Sequence, residues 1–182
     1  MKNFRSFGMT AAVALIAGLS LQACADDDWG RGWWKRADFA PLNDPQYVSE
    51  CGDCHMPYQP GMLPAASWRR IMNGLEDHFG DNAELDEPVR QHILSLLESN
   101  AADRVDTGRS PGVARSLAGQ APLRFTETRY FRRKHHEIPQ RLVSNNPDVG
   151  SFARCDACHL KADQGNYDEH QVRIPGVGYW DD

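Results

Sequence analysis

The pentapeptide Cys-x-x-Cys-His occurs twice in this chain. It stands first as Cys51-Gly-Asp-Cys54-His55 and again, about a hundred residues later, as Cys155-Asp-Ala-Cys158-His159. Four of the five cysteines lie in these two copies; the fifth, Cys24, lies in an apolar N-terminal segment. Two thiols three positions apart can form a disulfide, a redox dithiol, half of a zinc site or the covalent anchor of a haem. Zinc needs four ligands drawn close together, and zinc ribbons space their pairs more closely than these. A redox pair belongs at a helix start in a βαβ context, and no strand-rich pattern surrounds either copy. The histidine after the second cysteine separates the readings. In c-type haem attachment both thiols bond to the porphyrin vinyl groups, and the imidazole of the next residue lies beneath the iron. The expectation is two haem c groups. One is anchored by Cys51 and Cys54 with His55 as proximal ligand, the other by Cys155 and Cys158 with His159.

The N-terminus supports export. Lys2 and Arg5 precede the apolar run AAVALIAGLSL, and Ala23-Cys24-Ala25 places small residues at both ends of an A-x-A cleavage pattern. Residues 1–25 therefore read as a signal peptide cleaved near Ala25. The competing reading makes Cys24 a lipidated cysteine, for which Gln22 is an awkward neighbour; only then would the protein be tied to a membrane. No other segment approaches the ~20 apolar residues of a membrane helix. Residues 1–25 hold two basic and no acidic residues, so their removal takes the net charge from −5 to −7. That balance argues against nucleic acid or an anionic membrane as partner and allows a basic protein. Two haems would also add large apolar bodies for a highly charged chain of modest apolar content to wrap.

Each iron needs a sixth ligand or stays open, and five further histidines are present: His78, His92, His135, His136 and His170. Residues 65–80 read as a helix with Trp68, Ile71, Met72, Leu75 and Phe79 on one stripe and Gly80 as a stop. Residues 87–102 read as a second, with Pro88 near its start and Val89, Ile93, Leu94, Leu96 and Leu97 as its stripe. His78 lies roughly 75° from the centre of the first stripe, at its edge, and His92 roughly 110° from the second, closer to a solvated face. Met72 is central in its stripe and reads as packing; Met62 sits in a loop where it could ligate or cover a haem face. Residues 99–122 are small, polar and broken by Gly and Pro, and read as a linker. After them a run of five arginines, one lysine and several aromatics carries His135 and His136 ahead of the second motif. Its cations read either as a solvated face or as partners for haem propionates. His170 lies between Glu169 and Gln171 and reads as exposed.

Three blocks, ECGDCHMPYQPGMLPAASWRRIMNGLEDHFGDNAELD, YFRRKHHEI and CDACHLKADQGNYDEHQVRIP, occur in this order and together resemble the dihaem cytochrome c family of bacterial periplasmic proteins. The resemblance spans about residues 47–176. It implies a mainly α fold: a class I cytochrome c-like N-terminal haem domain at 47–105, then a smaller, irregular C-terminal haem-binding domain at 106–182. Residues 26–46, with Trp33 and Trp34, would form an N-terminal arm. The resemblance further implies that both irons are ligated by two histidines. His78, from EDHFG, would be the distal ligand of the first haem and His135, from KHHEI, that of the second, with His136 as the alternative to His135.

That ligand set implies a low-potential periplasmic electron carrier rather than an enzyme. The partners the resemblance suggests are a small monohaem oxygen-binding cytochrome c and, as donor, a membrane b-type cytochrome. The alternative is a dihaem enzyme or gas-binding protein, a peroxidase or reductase with one open iron. No nucleophile–base constellation marks a different chemistry.

Overall fold

Helix α1 (Pro45–Gly52) starts where the sequence supplies its start signals. The Asp44 carboxylate accepts from the Tyr47 N–H at 2.9 Å, and Pro45, which has no N–H to lose, takes the first turn. The helix ends just past Cys51 and so sets the first attachment motif on its C-terminal end. A 3-10 turn (Pro60–Met62) leads into α2 (Ala65–Met72), which packs against α3 (Glu87–Ser99). Trp68 and Met72 of α2 meet Ile93 and Leu97 of α3 in one buried cluster. The computed structural model describes residues 37–180. The signal segment, Cys24, Trp33 and Trp34 lie outside these residues.

The helix expected over 65–80 stops at Met72. Asn73 and Gly74, both poor helix formers, break it, and the chain turns through a 3-10 segment at Leu75–Asp77. His78 then exchanges backbone hydrogen bonds with Asp81, and Phe79 takes a left-handed conformation at φ 60°. Phe79 is exposed rather than part of the apolar stripe.

The stretch 99–122, expected as a linker, contains α4 (Ser110–Leu117), whose Val113 and Leu117 are buried. Two apolar anchors one turn apart are enough to seat so short a helix, and the surrounding Gly and Pro mask them from a periodicity reading. Helix α5 (Arg129–Lys134) is capped by Thr128, whose hydroxyl accepts from the Phe131 N–H at 3.0 Å. It turns Tyr130 and Phe131 inward and leaves Arg129, Arg132, Arg133 and Lys134 exposed. Beyond it the chain runs through short 3-10 turns and one two-residue antiparallel pair, β1 (Arg173–Ile174) with β2 (Gly178–Tyr179), in the register Arg173 opposite Tyr179. The described residues are thus mainly helical, with little strand.

Two apolar clusters form the core. The first joins Tyr47, Leu63, Trp68, Met72, Leu75, Ile93 and Leu97; the second joins Phe39, Met62, Val113, Leu117, Tyr130 and Tyr167. Tyr58 and Phe125 pack against both. Phe39, near the end of the segment expected as an arm, is 2% exposed. Its strand of backbone is gripped on two sides. The Arg109 Nε donates to Asp38 at 2.9 Å, and the Phe39 N–H donates to the Gly165 carbonyl at 3.1 Å. At Gly165 (φ 69°) a Cβ would stand 1.8 Å from the Phe39 carbonyl oxygen, so only glycine allows this approach.

Candidate functional site

The fold gathers the predicted residues into two groups. In the first, Cys51 sits half-buried in the last turn of α1, while Cys54 and His55 follow at the surface. The His55 Nδ1 lies 2.8 Å from the Met56 carbonyl. A carbonyl only accepts, so Nδ1 carries the proton and Nε2 keeps its lone pair for a metal. Across from it stands His78, delivered by the broken end of α2 and not by a helix face. The two ring centres are 6.2 Å apart and the ring planes differ by 22°. The Arg124 guanidinium lies 3.8 Å above the Phe79 ring beside this pair. Burial, then His55 and Arg124, hold the His78 imidazole below the usual histidine range and so keep it neutral.

In the second group, Cys155 starts a 3-10 turn (Cys155–Ala157) that the Cys158 N–H closes on the Cys155 carbonyl at 3.3 Å, and the His159 N–H donates to the same carbonyl at 2.8 Å. His135 caps the C-terminus of α5. Its Nδ1 lies 3.0 Å from the Phe131 carbonyl, which again puts the proton on Nδ1, and the Phe131 ring lies parallel to it at 3.9 Å and 13°. The His135 and His159 ring centres are 6.1 Å apart with planes at 76°. Burial, with His135 and Arg109 adding to it, pushes the His159 pKa down to about 4. A cavity opens between these rings. Phe39, Phe125, Phe152, Val172 and Trp180 line it, with the cations Arg109, Lys134 and Arg154 also at its wall.

The other candidates lie elsewhere. His136 is exposed, with its Nδ1 3.0 Å from the Arg133 carbonyl. His92 is exposed and paired with Asp44 at 3.0 Å, and His170 is exposed on a surface turn. Met62 and Met72 are buried in the two core clusters.

This donor set fits a haem at each group. A metal held between two imidazoles separates the ring centres by two metal–nitrogen bonds of about 2 Å and two centre-to-nitrogen distances of about 1 Å. The sum, about 6 Å, matches both pairs. The cysteines fit as well. Burial pushes the Cys51 thiol up to about 11 and Cys155 up to about 12, so both stay protonated and are poor redox dithiols. All four are free of disulfides. Among the described residues no cluster of three or more His, Cys, Asp or Glu is gathered as a zinc site requires.

Reading the sequence did not single out Tyr58, Gln59, Phe131 or Tyr167. Tyr58 lies 5.4 Å from the His55 ring, and its hydroxyl donates to the Ala153 carbonyl near the second motif. Gln59, 2% exposed, donates to the Ala162 carbonyl at 2.8 Å and accepts from the Tyr167 hydroxyl at 2.6 Å. For Tyr58 and Gln59 the available signal was their place, three and four residues after His55 of the first motif.

Known proteins resemble this chain along most of its described length. The profile of the family described as dihaem cytochrome c matches residues 47–167. Among solved structures, a dihaem cytochrome type c from Shewanella baltica is 44% identical, with a TM-score of 0.63, covering 75% of this chain and 97% of that one. A dihaem cytochrome c from Rhodobacter sphaeroides is 38% identical, with a TM-score of 0.60, covering 70% of this chain and 99% of that one. No curated protein matches the sequence.

Proposed function

Because this chain belongs to the dihaem cytochrome c family and carries two covalently bound c-type haems, we propose that it is a low-potential periplasmic electron carrier whose irons are each held between two histidines. The bound haems supply one-electron iron chemistry. The observation that carries the reading is the pair of imidazole separations, 6.2 Å for His55 with His78 and 6.1 Å for His135 with His159. A histidine on each face closes an iron to O₂ and peroxide, and it holds the potential below that of a histidine–methionine site. The chain's own work is then to hold four rings in place, to supply an apolar wall, and to present an edge to a partner. Cys54 and His55 lie at the surface, so electrons can leave by outer-sphere transfer.

Export is supported by the N-terminal sequence and by the need to attach haem c outside the cytoplasm. For partners we propose a small monohaem oxygen-binding cytochrome c as acceptor and a membrane b-type cytochrome as donor, on the family resemblance alone. The test is the absorption spectrum of the reduced holoprotein with and without carbon monoxide. A low-spin c-type spectrum that CO leaves unchanged supports the carrier. CO binding by about half of the haem would put an enzyme or gas-binding protein in its place.

A further inference from the structure

The two histidine pairs have nearly the same separation but different orientations. His55 and His78 are 22° from coplanar, while His135 and His159 are crossed at 76°. Side chains and backbone fix these planes. His135 is bound through Nδ1 to the Phe131 carbonyl, lies flat against the Phe131 ring at 3.9 Å, and meets the edge of Phe152 at 82°. His159 meets Tyr167 at 5.2 Å and 61°. Among the described residues, the rings beside the first pair are tilted rather than flat: Tyr58 by 59° against His55, and Phe79 by 61° against His78.

We infer that the two irons are electronically inequivalent, the second being ligated by crossed imidazoles, and that Phe131 is the positioning residue that sets the His135 plane. The inference rests on the bis-histidine reading above. An imidazole donates π density into the iron d orbital that lies perpendicular to its ring. Two coplanar rings act on the same orbital and split it from its partner, which gives a rhombic low-spin ferric signal. Two crossed rings act on different orbitals, leave them nearly degenerate, and give a strongly anisotropic signal with a large gmax. The ligand orientation that the protein imposes is thus read directly in the spectrum.

The experiment is electron paramagnetic resonance of the oxidised full-length holoprotein and of its Phe131→Leu variant. The wild type is expected to show two low-spin signals of equal weight, one rhombic and one with a large gmax. In the variant the large-gmax signal shifts or broadens as the His135 ring gains freedom, while the rhombic signal stays and serves as an internal control for folding. Two rhombic signals in the wild type would overturn the inference. So would a large-gmax signal that the variant leaves unmoved. A high-spin signal in the wild type would strike the bis-histidine reading itself, and the inference with it.

Discussion

Tyr58 and Ala153 are joined across 95 positions of sequence, the Tyr58 hydroxyl donating to the Ala153 carbonyl at 2.5 Å. Tyr58 stands three residues after His55, and Ala153 two before Cys155, so this bond ties one attachment motif to the other. The Tyr47 hydroxyl donates in turn to the Tyr58 carbonyl, which fixes the strut to α1. With the Gln59 amide, which donates to the Ala162 carbonyl, this phenol links the two motif regions where the secondary structure around the second motif is sparse.

Tyr58→Phe should remove that tie while keeping the ring between the two clusters. The Ala153 carbonyl keeps its hydrogen bond from the Cys155 N–H at 3.1 Å, so the loss is that of one ordinary hydrogen bond, about 0.5–1.5 kcal/mol. Tyr58→Ala should cost more, about 3 kcal/mol or above, because it also leaves a cavity beside both clusters. Denaturant unfolding of the holoprotein checks both values. A Phe variant as stable as the wild type would show that the strut carries no net energy.

Two glycines with similar backbone conformations should respond differently to alanine. At Gly165 (φ 69°) the added Cβ would meet the Phe39 carbonyl oxygen, whereas at Gly119 (φ 82°) nothing lies within 4 Å. Gly119→Ala should cost only the left-handed strain, about 1–2 kcal/mol. Gly165→Ala should cost that strain and also expel the Phe39 segment from the second cluster, lowering the melting temperature well beyond the Gly119 variant. Equal shifts would mean that Phe39 can move aside freely.

The attachment motifs were legible because covalent chemistry fixes their spacing whatever the fold does. The pairing of His78 and His135 with those motifs was not legible from periodicity. His78 owes its place to a helix break at Asn73–Gly74, and a stripe extrapolated through that break puts it at a helix edge instead. Helix α4 was hidden because Val113 and Leu117 are only two anchors in a run of small and polar residues. Phe39 was hidden because its partners, Gly165 and Tyr167, lie far along the chain, where no local pattern records them. What sequence conveys poorly here is long-range: a tyrosine hydroxyl and a buried glutamine decide how the two motifs face each other.

The Asp44 carboxylate should make α1 acid-sensitive. Its hydrogen bond from the Tyr47 N–H, with help from His92, holds its pKa below the ordinary 3.8. A carboxylate whose folded pKa is depressed contributes stability that is present above its unfolded value and is lost as pH falls through the folded one. The contribution is therefore complete at neutral pH and disappears below about pH 4. Asp44→Asn keeps a capping side chain but removes the titration. The difference in denaturation midpoint between wild type and this variant should shrink between pH 6 and pH 3, roughly the span of the carboxylate titration. A difference that stays constant over that range would mean that Asp44 caps the helix without a charge effect.

Replacing the paired histidines one at a time tests the ligand set directly. His78→Ala should open the iron of the first haem and leave the second closed, and His135→Ala should do the reverse. Each variant should then show a high-spin component and bind CO on about half of its reduced haem, since one of the two haems has lost its sixth ligand. His136→Ala and His92→Ala should keep the wild-type low-spin spectrum. His136 is turned toward Arg133 and Glu137, and His92 toward Asp44. The His135 and His136 variants form the sharpest pair because adjacent residues are predicted to behave oppositely. His135 has its Nδ1 on the Phe131 carbonyl and its ring 6.1 Å from His159, whereas the His136 side chain is 68% exposed. CO binding by the His136 variant with none by the His135 variant would exchange their roles. A low-spin, CO-inert spectrum in both the His78 and His135 variants would show that neither residue is a ligand.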